Sequence, residues 1–440
     1  MSPAHIILVV RPSRFYDQAM RTALLLAAFI FFKDIVVAGN WPAWRGPTGD
    51  GVTKETDLPV KWSATENVAW KTKLPDGGNS TPVVWGDRVF LTQATEKGKQ
   101  RLVLCFDRKD GHELWRHTVT YEKPELTHDT NPHCGASPVT DGERVIACHA
   151  SAGVVCVDFS GKELWKRDLG EQRHIWGSGA SPVLAGDRVF LNFGPGPAQA
   201  LYCLDKHDGK ILWKHDETGG TSGEPPPGGG KPQWTGSWSD PLLRRVGERD
   251  ELLMTWPGRV CAHDPATGKE LWRCTGLNPL IYTSPVFADG IVIGMGGYGG
   301  NSLAVKAGGS GDVTASRLWL VEKTRQRIGS PVVHDGHLYI HTDPGIAECR
   351  SLKDGSIVWE ERLKGPGAAG TNWSSLVRSG DKLYAVNHSG DAFIFRAAPK
   401  FEVLATNSIG ERVIASIAVS DGQLFIRSYQ HLWCIGDRKP

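Results

Sequence analysis

Apolar and polar residues alternate along most of this chain in short runs that are separated by turns rich in glycine and aspartate. In STPVVWGDRVFL (Ser80 to Leu91), for example, an apolar run reaches a Gly-Asp turn, and a second run follows with apolar residues at alternate positions. A period of two predicts β-strands, and a turn of this kind between two such runs predicts a hairpin. The pattern therefore predicts an all-β protein.

This hairpin pattern recurs along the chain at intervals of about 42 to 58 residues, which indicates a repeat architecture. Clear copies include ASPVLAGDRVFL from Ala180 and GSPVVHDGHLYI from Gly329, whereas SDPLLRRVGERDELLM from Ser239 is a weaker copy. The copies begin at Ser80, Ala136, Ala180, Ser239, Thr283, Gly329, Ser374 and Ser416.

A second signature, in which an aspartate precedes a glycine and a tryptophan, follows most of the hairpins. It reads DRKDGHELW at Asp107, DFSGKELW at Asp158, DKHDGKILW at Asp205, DPATGKELW at Asp264 and, in a changed form, LKDGSIVW at Leu352. The unit therefore contains four strands: two in the hairpin, one that ends at the aspartate and one that carries the tryptophan. Four-stranded units repeated around an axis are the blades of a β-propeller, so the sequence predicts an eight-bladed propeller.

The two ends of the chain complement each other in this scheme. The eighth copy contains three strands and ends in HLWCIG, while ENVAWKTKLP, which contains Trp70, precedes the first copy and resembles an isolated fourth strand. Pairing the two closes the ring and leaves no free sheet edge. The predicted propeller comprises residues 67–440, and a lead-in segment, residues 39–66, precedes it.

The N-terminal residues have the composition of an export signal. Arg21 precedes the apolar run TALLLAAFIFF, which is too short to span a bilayer but fits the hydrophobic region of a secretory signal. Small residues before Gly39 suit a signal peptidase, and Met20 is the expected start. We therefore predict a signal peptide over residues 1–38 and a periplasmic or secreted protein without a transmembrane span after cleavage.

Charge argues against one class of partner. The chain of 440 residues has a formal net charge of +2 and shows no basic stripe. A nucleic-acid-binding protein would carry such a stripe, so no nucleic-acid partner is predicted. The expected state is a monomer that binds a protein, a glycan or a small molecule.

The composite unit xSPV…GxRVx…xDxxTGKxLW resembles the pyrroloquinoline-quinone-like (PQQ-like) propeller repeat. Bacterial quinoprotein dehydrogenases share that repeat with the barrel-assembly lipoprotein of the outer membrane. The entry segment WPAWRGPTGDGV, Trp41 to Val52, also resembles exported proteins that carry the repeat. The resemblance covers nearly all of the chain after the signal and implies the propeller fold. It does not imply one function, because this fold is used by enzymes and by scaffolds.

The recurring aspartates, glycines and tryptophans are predicted to be structural. DRKDG lacks the further oxygen ligands and the terminal acid of a calcium loop, so its Asp and Gly are expected to form a turn. The tryptophans of the repeat share one register and are expected to pack between adjacent blades. They are Trp70, Trp115, Trp165, Trp213, Trp272, Trp319 and Trp359.

The nine cysteines are candidates for disulfide bonds, and the HDTNPHC loop (His128 to Cys134) is a candidate metal site. Five cysteines occupy one position of the repeat, which keeps them apart around the ring as buried apolar residues. Cys134 and Cys148 lie outside that column and leave one disulfide pairing open. The spacing of the loop matches no zinc signature, so no metal site is predicted. The column contains Cys105, Cys156, Cys203, Cys349 and Cys434.

Candidate ligand-binding residues are expected in the connections between the fourth strand of one blade and the first strand of the next, because these loops rim the central funnel. Aromatic side chains mixed with Arg, Asn and His suit a planar, anionic or sugar-like ligand. In the structural alternative, the same residues cap strands and fill the funnel mouth. The candidates are Asn79, His128, Asp129, His133, Arg173, Trp176, Trp238, Tyr282, Arg327, Asn372, Trp373 and Arg412.

Two functions follow from these observations. The first is an exported binding or scaffold module without catalytic residues, and it is favoured because no nucleophile and base stand out. The alternative, which the resemblance implies, is a quinoprotein-type dehydrogenase that oxidises an alcohol or sugar with PQQ and calcium. The chain lacks the adjacent cysteine pair of the alcohol-oxidising branch and a convincing Glu/Asn/Asp set for calcium.

Overall fold

The predicted hairpins pair into eight antiparallel blades in a computed structural model that describes residues 39–226, 228–325 and 328–437. Three single turns of 3-10 helix are the helical elements of these ranges: Glu96–Gly98, Ala150–Ala152 and Thr314–Ser316. No helix in this part of the chain has the length and apolar character needed to cross a membrane. The predicted signal peptide, residues 1–38, and Arg327 lie outside the described residues.

Each blade contains strands A to D, named from the central axis outward, and the blades follow the order of the repeats. Blade 1 contains Val83–Trp85, Arg88–Thr95, Gln100–Asp107 and Glu113–Thr120. Blade 2 contains Val139–Thr140, Arg144–Cys148, Val154–Asp158 and Glu163–Arg167. Blade 3 contains Val183–Ala185, Arg188–Phe193, Ala200–Asp205 and Ile211–Asp216. Blade 4 contains Leu242–Val246, Arg249–Trp256, Arg259–His263 and Glu270–Thr275.

The second half of the ring has the same organisation. Blade 5 contains Val286–Ala288, Ile291–Met295, Ser302–Lys306 and Trp319–Val321. Blade 6 contains Val332–His334, His337–Thr342, Ile346–Ser351 and Ile357–Arg362. Blade 7 contains Val377–Ser379, Lys382–Val386, Asp391–Arg396 and Val403–Ser408. Blade 8 contains Ala418–Ser420, Gln423–Arg427, His431–Ile435 and Val68–Lys73.

Two short strands extend individual blades, and two others pair between blades. Val52–Thr53 runs parallel to strand A of blade 7, and Gly311–Asp312 runs parallel to strand D of blade 4. Gly236–Ser237 pairs in parallel with Leu280–Ile281. This last pair joins the loops that enter blades 4 and 5.

The ring closes as the sequence predicts. Val68–Lys73, which precedes blade 1 in the chain, pairs antiparallel with His431–Ile435 and supplies the missing strand D of blade 8. Trp70 lies opposite Cys434, as Trp115 lies opposite Cys105 in blade 1. The N-terminal and C-terminal parts of the propeller therefore share one sheet.

A ring of hydrogen bonds joins the eight blades around the axis. In each blade, the residue at the Ser position of the SPV motif, here called the ring residue, donates its backbone N–H to the side-chain oxygen of the ring residue in the next blade. The eight distances lie between 2.7 and 3.1 Å, and the last bond returns from blade 8 to blade 1. The ring residues are Thr81, Ser137, Ser181, Asp240, Ser284, Ser330, Ser375 and Ser416.

The repeated tryptophans join neighbouring blades at a larger radius. The indole N–H of Trp70, for example, donates to the carbonyl of Arg108 in blade 1 at 2.7 Å, and its ring packs against Gly111. Trp115, Trp165, Trp213, Trp319 and Trp359 make the corresponding bond to the next blade. Trp272 differs, because its N–H bonds the buried Glu251 within blade 4. The Asp-Gly turn and the tryptophan are thus two halves of one contact.

The same contact explains why the glycine of the turn recurs. Asp107 accepts the N–H of Lys109 at 2.7 Å and holds the turn, as an aspartate commonly does in turns. A Cβ atom at Gly111 would lie 2.4 Å from the Cε3 atom of Trp70. The prediction that DRKDG forms a turn agrees with this geometry.

We predict that alanine is tolerated far better at Gly186 than at Gly209, although both glycines lie in blade 3 with positive φ, at 58° and 68°. A Cβ at Gly209 would lie 2.5 Å from Trp165, whereas one at Gly186 meets no atom within 4 Å. Gly186→Ala should therefore cost about 1 kcal/mol of unfolding free energy from the backbone. Gly209→Ala should cost about 1–3 kcal/mol more from overpacking. Equal urea midpoints for the two variants would contradict the docking role of the tryptophan.

The cysteines occupy the positions that the repeat predicts. Cys105 lies opposite Trp115 in blade 1, and Cys203 lies opposite Trp213 in blade 3. Cys261 is displaced by one residue, so that Ala262 faces the tryptophan of blade 4. All nine cysteines are buried and none forms a disulfide within the described residues, so the pairing of Cys134 with Cys148 that the sequence left open is not formed.

The lead-in segment crosses the central channel on the side of the A–B hairpins. Trp41, which is 1% exposed, pairs with Val84 in blade 1. Arg45 donates to the carbonyl of Pro331 in blade 6 at 2.7 Å, and Gly51 accepts the backbone N–H of the middle residue of strand A in blade 7. These contacts agree with the expectation that WPAWRGPTGDGV is ordered along the propeller. They also show that it covers one end of the channel.

Candidate functional site

A cavity of about 150 Å³ opens on the axis, on the side of the loops that connect strand D of one blade to strand A of the next. Each blade contributes the residue two positions before its ring residue. Because side chains alternate with a period of two along an extended chain, both residues face the axis. The eight contributors are Asn79, Gly135, Gly179, Trp238, Tyr282, Ile328, Trp373 and Ile414.

Aromatic rings form much of the cavity wall. The rings of Trp238 and Tyr282 stack with centroids 4.5 Å apart and planes inclined by 13°. Each residue follows one strand of the parallel pair Gly236–Ser237 and Leu280–Ile281, which places the two rings side by side. Tyr298, from the loop between strands B and C of blade 5, extends this group with its ring 5.2 Å from that of Tyr282.

Trp176 reaches the cavity from the connection between blades 2 and 3, and polar contacts hold that connection in place. The side-chain amide of Asn131 donates to the carbonyl of Trp176 and to that of Ser178, both at 2.8 Å. Nδ1 of His174 accepts the N–H of Trp176, and its ring meets Trp238 edge-on at 4.8 Å. Burial lowers the pKa of His174 to about 4, so this ring is neutral near pH 7. The aromatic side chains are thus fixed by neighbouring loops.

Asp240 occupies the ring position in blade 4, where the other seven blades carry Ser or Thr. It lines the cavity, is 6% exposed, and accepts the N–H of Ser181 at 2.7 Å. Burial removes water from the carboxylate and raises the pKa of Asp240 from 3.8 to about 8, although the bonds from Ser181 and the charge of Arg45 act in the opposite direction. The carboxyl is therefore mostly protonated at neutral pH and becomes a carboxylate above about pH 8.

A small group of charges lies beneath Asp240 in the lead-in segment and blade 4. Arg45 is buried and donates to the carbonyls of Asp50 and Ser330 at 2.5 and 3.2 Å. Burial lowers the pKa of Arg45 to about 10, which leaves it charged at neutral pH. Asp50 also pairs with Arg244 at 3.2 Å. The positive charge of Arg45 attracts the carboxyl groups of both Asp50 and Asp240, and Asp240 is the one that faces the funnel.

Trp44 contributes to the cavity from below. A second cavity of about 770 Å³ lies between the lead-in segment and strands A of blades 2 to 4. Trp44, Ser181 and Asp240 line both cavities. These three residues are the floor of the funnel.

Five of the residues predicted as candidates line the smaller, axial cavity, and they come from five different connections. They are Asn79, Trp176, Trp238, Tyr282 and Trp373. His128 stands behind one of them, with its ring 4.4 Å from that of Trp176. Their role in binding a ligand remains a proposal.

The structure places the other candidates away from the cavity. His133 lies 3.4 Å from the buried Glu125, and Asn372 is buried with its amide bonded to the carbonyl of His341. Asp129 is exposed. Arg173 pairs with Glu224 at 2.8 Å, and Arg412 lies over the ring of Tyr429. Arg327 is not among the described residues.

Several lining residues were missed from the sequence, among them Trp44, Asp240, Tyr298, Ile328 and Ile414. Three of them carry a signal in the repeat. Asp240 replaces the recurring serine in SDPLL, and Ile328 and Ile414 occupy the position two before the ring residue. Trp44 and Tyr298 come from outside the repeating positions.

Two clusters of potential metal ligands occur within the described ranges, and neither lies at the funnel. Asp107, Asp110 and His112 belong to the exposed turn of blade 1, where the aspartates accept backbone N–H groups. In the second, buried cluster of Cys261, His263 and Glu270, both ring nitrogens of the histidine are engaged by protein groups.

Comparison with known proteins gives the same fold and two kinds of relative. The chain aligns with polyvinylalcohol dehydrogenase of Sphingopyxis sp. (strain 113P3) at 25% identity over 42% of this chain and 29% of the relative. It therefore spans less than a third of that dehydrogenase. It also aligns with outer membrane protein assembly factor BamB of Yersinia pestis at 22% identity over 59% of this chain and 83% of the relative.

Solved structures agree on the architecture. BamB from Moraxella catarrhalis superposes with a TM-score of 0.57 at 14% identity, covering 84% of this chain and 97% of that structure. Quinohemoprotein alcohol dehydrogenase from Comamonas testosteroni superposes with a TM-score of 0.62 at 12% identity, covering 91% and 81%. The family model described as outer membrane protein assembly factor BamB matches residues 51–167, 99–360 and 224–439. The chain therefore belongs to this family of PQQ-like repeat propellers.

Proposed function

We propose that this propeller is a binding module that holds one small group of a ligand, or of a partner protein, in the axial funnel. The observation that carries the proposal is the cavity itself, in which three aromatic residues occupy equivalent positions of the repeat. Concave sites with aromatic walls and a few polar groups are the usual form of ligand sites. Each of the eight blades contributes a residue to its lining.

The dimensions limit what the funnel takes. An apolar protein cavity of about 150 Å³ accommodates one benzene molecule. The funnel, at about 150 Å³, is therefore suited to a single ring, a branched alkyl group or one side chain of a partner. The remainder of a larger ligand would lie among the loops above it.

The described residues of the funnel do not fit PQQ and calcium. A calcium ion takes six to eight oxygen ligands, commonly several carboxylates. Asp240 is the one carboxyl among the described lining residues. These residues include no Arg or Lys to pair with the carboxylates of the quinone, whereas the aromatic faces alone would suit its rings. The dehydrogenase therefore remains the alternative, supported by resemblance rather than by this site.

The relatives support a scaffold role and an exported location for this protein. One relative is named as an assembly factor for outer membrane proteins, and the alignment covers 83% of that relative. With the predicted signal over residues 1–38, this supports a periplasmic or secreted protein with a protein partner. The exposed faces of the funnel loops are then the surface that meets the partner.

Ligand-observed NMR with a panel of single-ring and branched-alkyl fragments tests the proposal. We expect several fragments to bind the purified protein and to compete with one another. Binding should weaken at least tenfold in Trp238→Ala, because that ring forms the wall with Tyr282. Trp234→Ala is the matched control, since Trp234 is 46% exposed and does not line the cavity.

Two outcomes would contradict this function. One is a panel in which no fragment binds, or in which binding is unchanged in a folded Trp238→Ala variant. The other is stoichiometric uptake of PQQ in the presence of calcium, followed by reduction of a dye with an alcohol or sugar. That result would establish the dehydrogenase.

A further inference from the structure

We propose that the funnel selects an organic cation, such as an alkylated ammonium group, which packs against the aromatic rings and faces the Asp240 carboxylate. This inference rests on the proposed function, because it concerns the same cavity. It adds the chemical class of the ligand and the residue that selects it.

The first argument is the aromatic composition of the cavity. Six of its lining residues are aromatic: Trp44, Trp176, Trp238, Tyr282, Tyr298 and Trp373. The faces of such rings carry partial negative charge and attract cations, and aromatic cages of this kind recognise quaternary ammonium groups. A trimethylammonium group is also close in size to the single ring that the cavity volume allows.

The second argument is the charge of the lining. Asp240 is the one Asp, Glu, His, Lys or Arg among the described lining residues. The basic candidates that the sequence suggested are engaged elsewhere, Arg173 with Glu224 and Arg412 with Tyr429. An anionic ligand would therefore meet aromatic faces, which repel it, and would find no basic side chain among the described lining residues. The sequence-based expectation of an anionic ligand is not supported by this lining.

The third argument is the position of Asp240 in the repeat. Seven blades satisfy the same N–H group with a neutral hydroxyl, so the hydrogen-bonded ring does not require an acid. A buried carboxyl is costly unless a positive charge compensates it. Arg45 lies below, where its charge also attracts the carboxylate of Asp50, and this leaves the funnel side of Asp240 for a second cation.

Binding is expected to depend on pH through Asp240. The groups that face it are Arg45 from the lead-in segment, the hydroxyls of Ser181 and Ser284, and the thiol of Cys148. Burial raises the pKa of Cys148 to about 12, and burial lowers that of Arg45 to about 10, so neither changes charge between pH 6 and 8. A cation binds the carboxylate form and displaces one proton. Affinity should therefore rise by up to about tenfold per pH unit from pH 6 to 8 and then level off.

Calorimetric titration with choline and with 3,3-dimethylbutan-1-ol, its uncharged counterpart of nearly equal shape, tests the inference. At pH 8 we expect choline to bind at least tenfold more tightly. In Asp240→Asn, which retains the acceptor for Ser181, that preference should fall to about threefold or less, from the rings alone. Asp335→Asn is the matched control, because this carboxyl is exposed on the hairpin of blade 6.

Equal affinity for the two compounds would overturn the cation proposal while leaving the funnel as a binding site. A choline preference that persists in Asp240→Asn would overturn the role of the carboxyl, and with it the proposal. If neither compound nor any fragment binds, the proposed function fails as well. A choline preference that depends on Asp240 and grows from pH 6 to 8 would support the proposal.

Discussion

Replacing Asp240 with serine is expected to stabilise this protein, and the gain should grow with pH. In the unfolded chain, an aspartate loses its proton near pH 4, whereas burial raises the pKa of Asp240 in the folded protein to about 8. Between these values the folded state binds the additional proton. Its unfolding free energy therefore decreases as the pH rises, by up to about 1.4 kcal/mol per unit.

Asp240→Ser removes this cost and restores the hydroxyl that the seven other blades place in the ring. Compared with the unsubstituted protein, the variant should have nearly the same unfolding free energy near pH 4 and one that is higher by about 2–5 kcal/mol at pH 8. Urea denaturation at pH 4.5, 6 and 8 measures the difference. The converse variant, Ser284→Asp, is a control that should lose stability over the same range. A stability difference that is independent of pH would contradict the buried-acid account.

Replacing Trp70 with alanine is expected to cost about 3–5 kcal/mol of unfolding free energy, because it removes a large buried ring and the closure contact together. Trp70 is 6% exposed, packs near Phe425, and donates to the carbonyl of Arg108 in the next blade. The strand that carries it, Val68–Lys73, joins the N-terminal part of the propeller to blade 8. Loss of this contact should therefore free the lead-in segment as well as destabilise the ring.

Urea denaturation and limited proteolysis together test the closure. In Trp70→Ala, we expect a lower midpoint and faster cleavage within residues 39–66, which the closed ring holds across the channel. Trp234→Ala, at an exposed tryptophan, should change the unfolding free energy by less than about 1 kcal/mol. Matching midpoints and cleavage rates in the two variants would show that closure contributes little.

The propeller could be predicted from the sequence because the residues that form one contact between neighbouring blades recur in most copies of the repeat. The turn at Asp107 and Gly111 and the side chain of Trp70 are parts of one interface between blades. An isolated turn would have been ambiguous, but its recurrence with the tryptophan favoured a structural turn over a metal-binding loop. The unpaired end of the eighth repeat similarly predicted that residues near Trp70 close the ring, which is confirmed.

The candidate site was predicted less completely, for physical reasons that differ between residues. Trp238, Tyr282 and Trp373 occupy a repeated position that faces the axis. Trp44 reaches the funnel through the path of the lead-in segment, which no repeat specifies. Asp240 was missed because it lies in a weak copy of the hairpin motif, where a carboxyl replaces a hydroxyl in the same hydrogen bond.

The charged candidates show the limit of composition as a guide to a site. Arg173 and Arg412 lie in the loops that rim the funnel, as predicted from their place in the repeat. Their long side chains find other partners, Glu224 and Tyr429, and do not line the cavity. Side-chain direction in loops depends on such local contacts, which alternation along the chain does not encode.

The central claim of this account is that a single buried carboxyl forms the floor of an aromatic funnel and takes part in binding. Carbon-detected NMR of the aspartate side-chain carboxyls tests it most directly. We predict one carboxyl that titrates near pH 8, that is absent in Asp240→Asn, and that shifts to lower pH when tetramethylammonium is added. A spectrum in which every aspartate titrates below pH 5, with no response to that cation, would contradict the account.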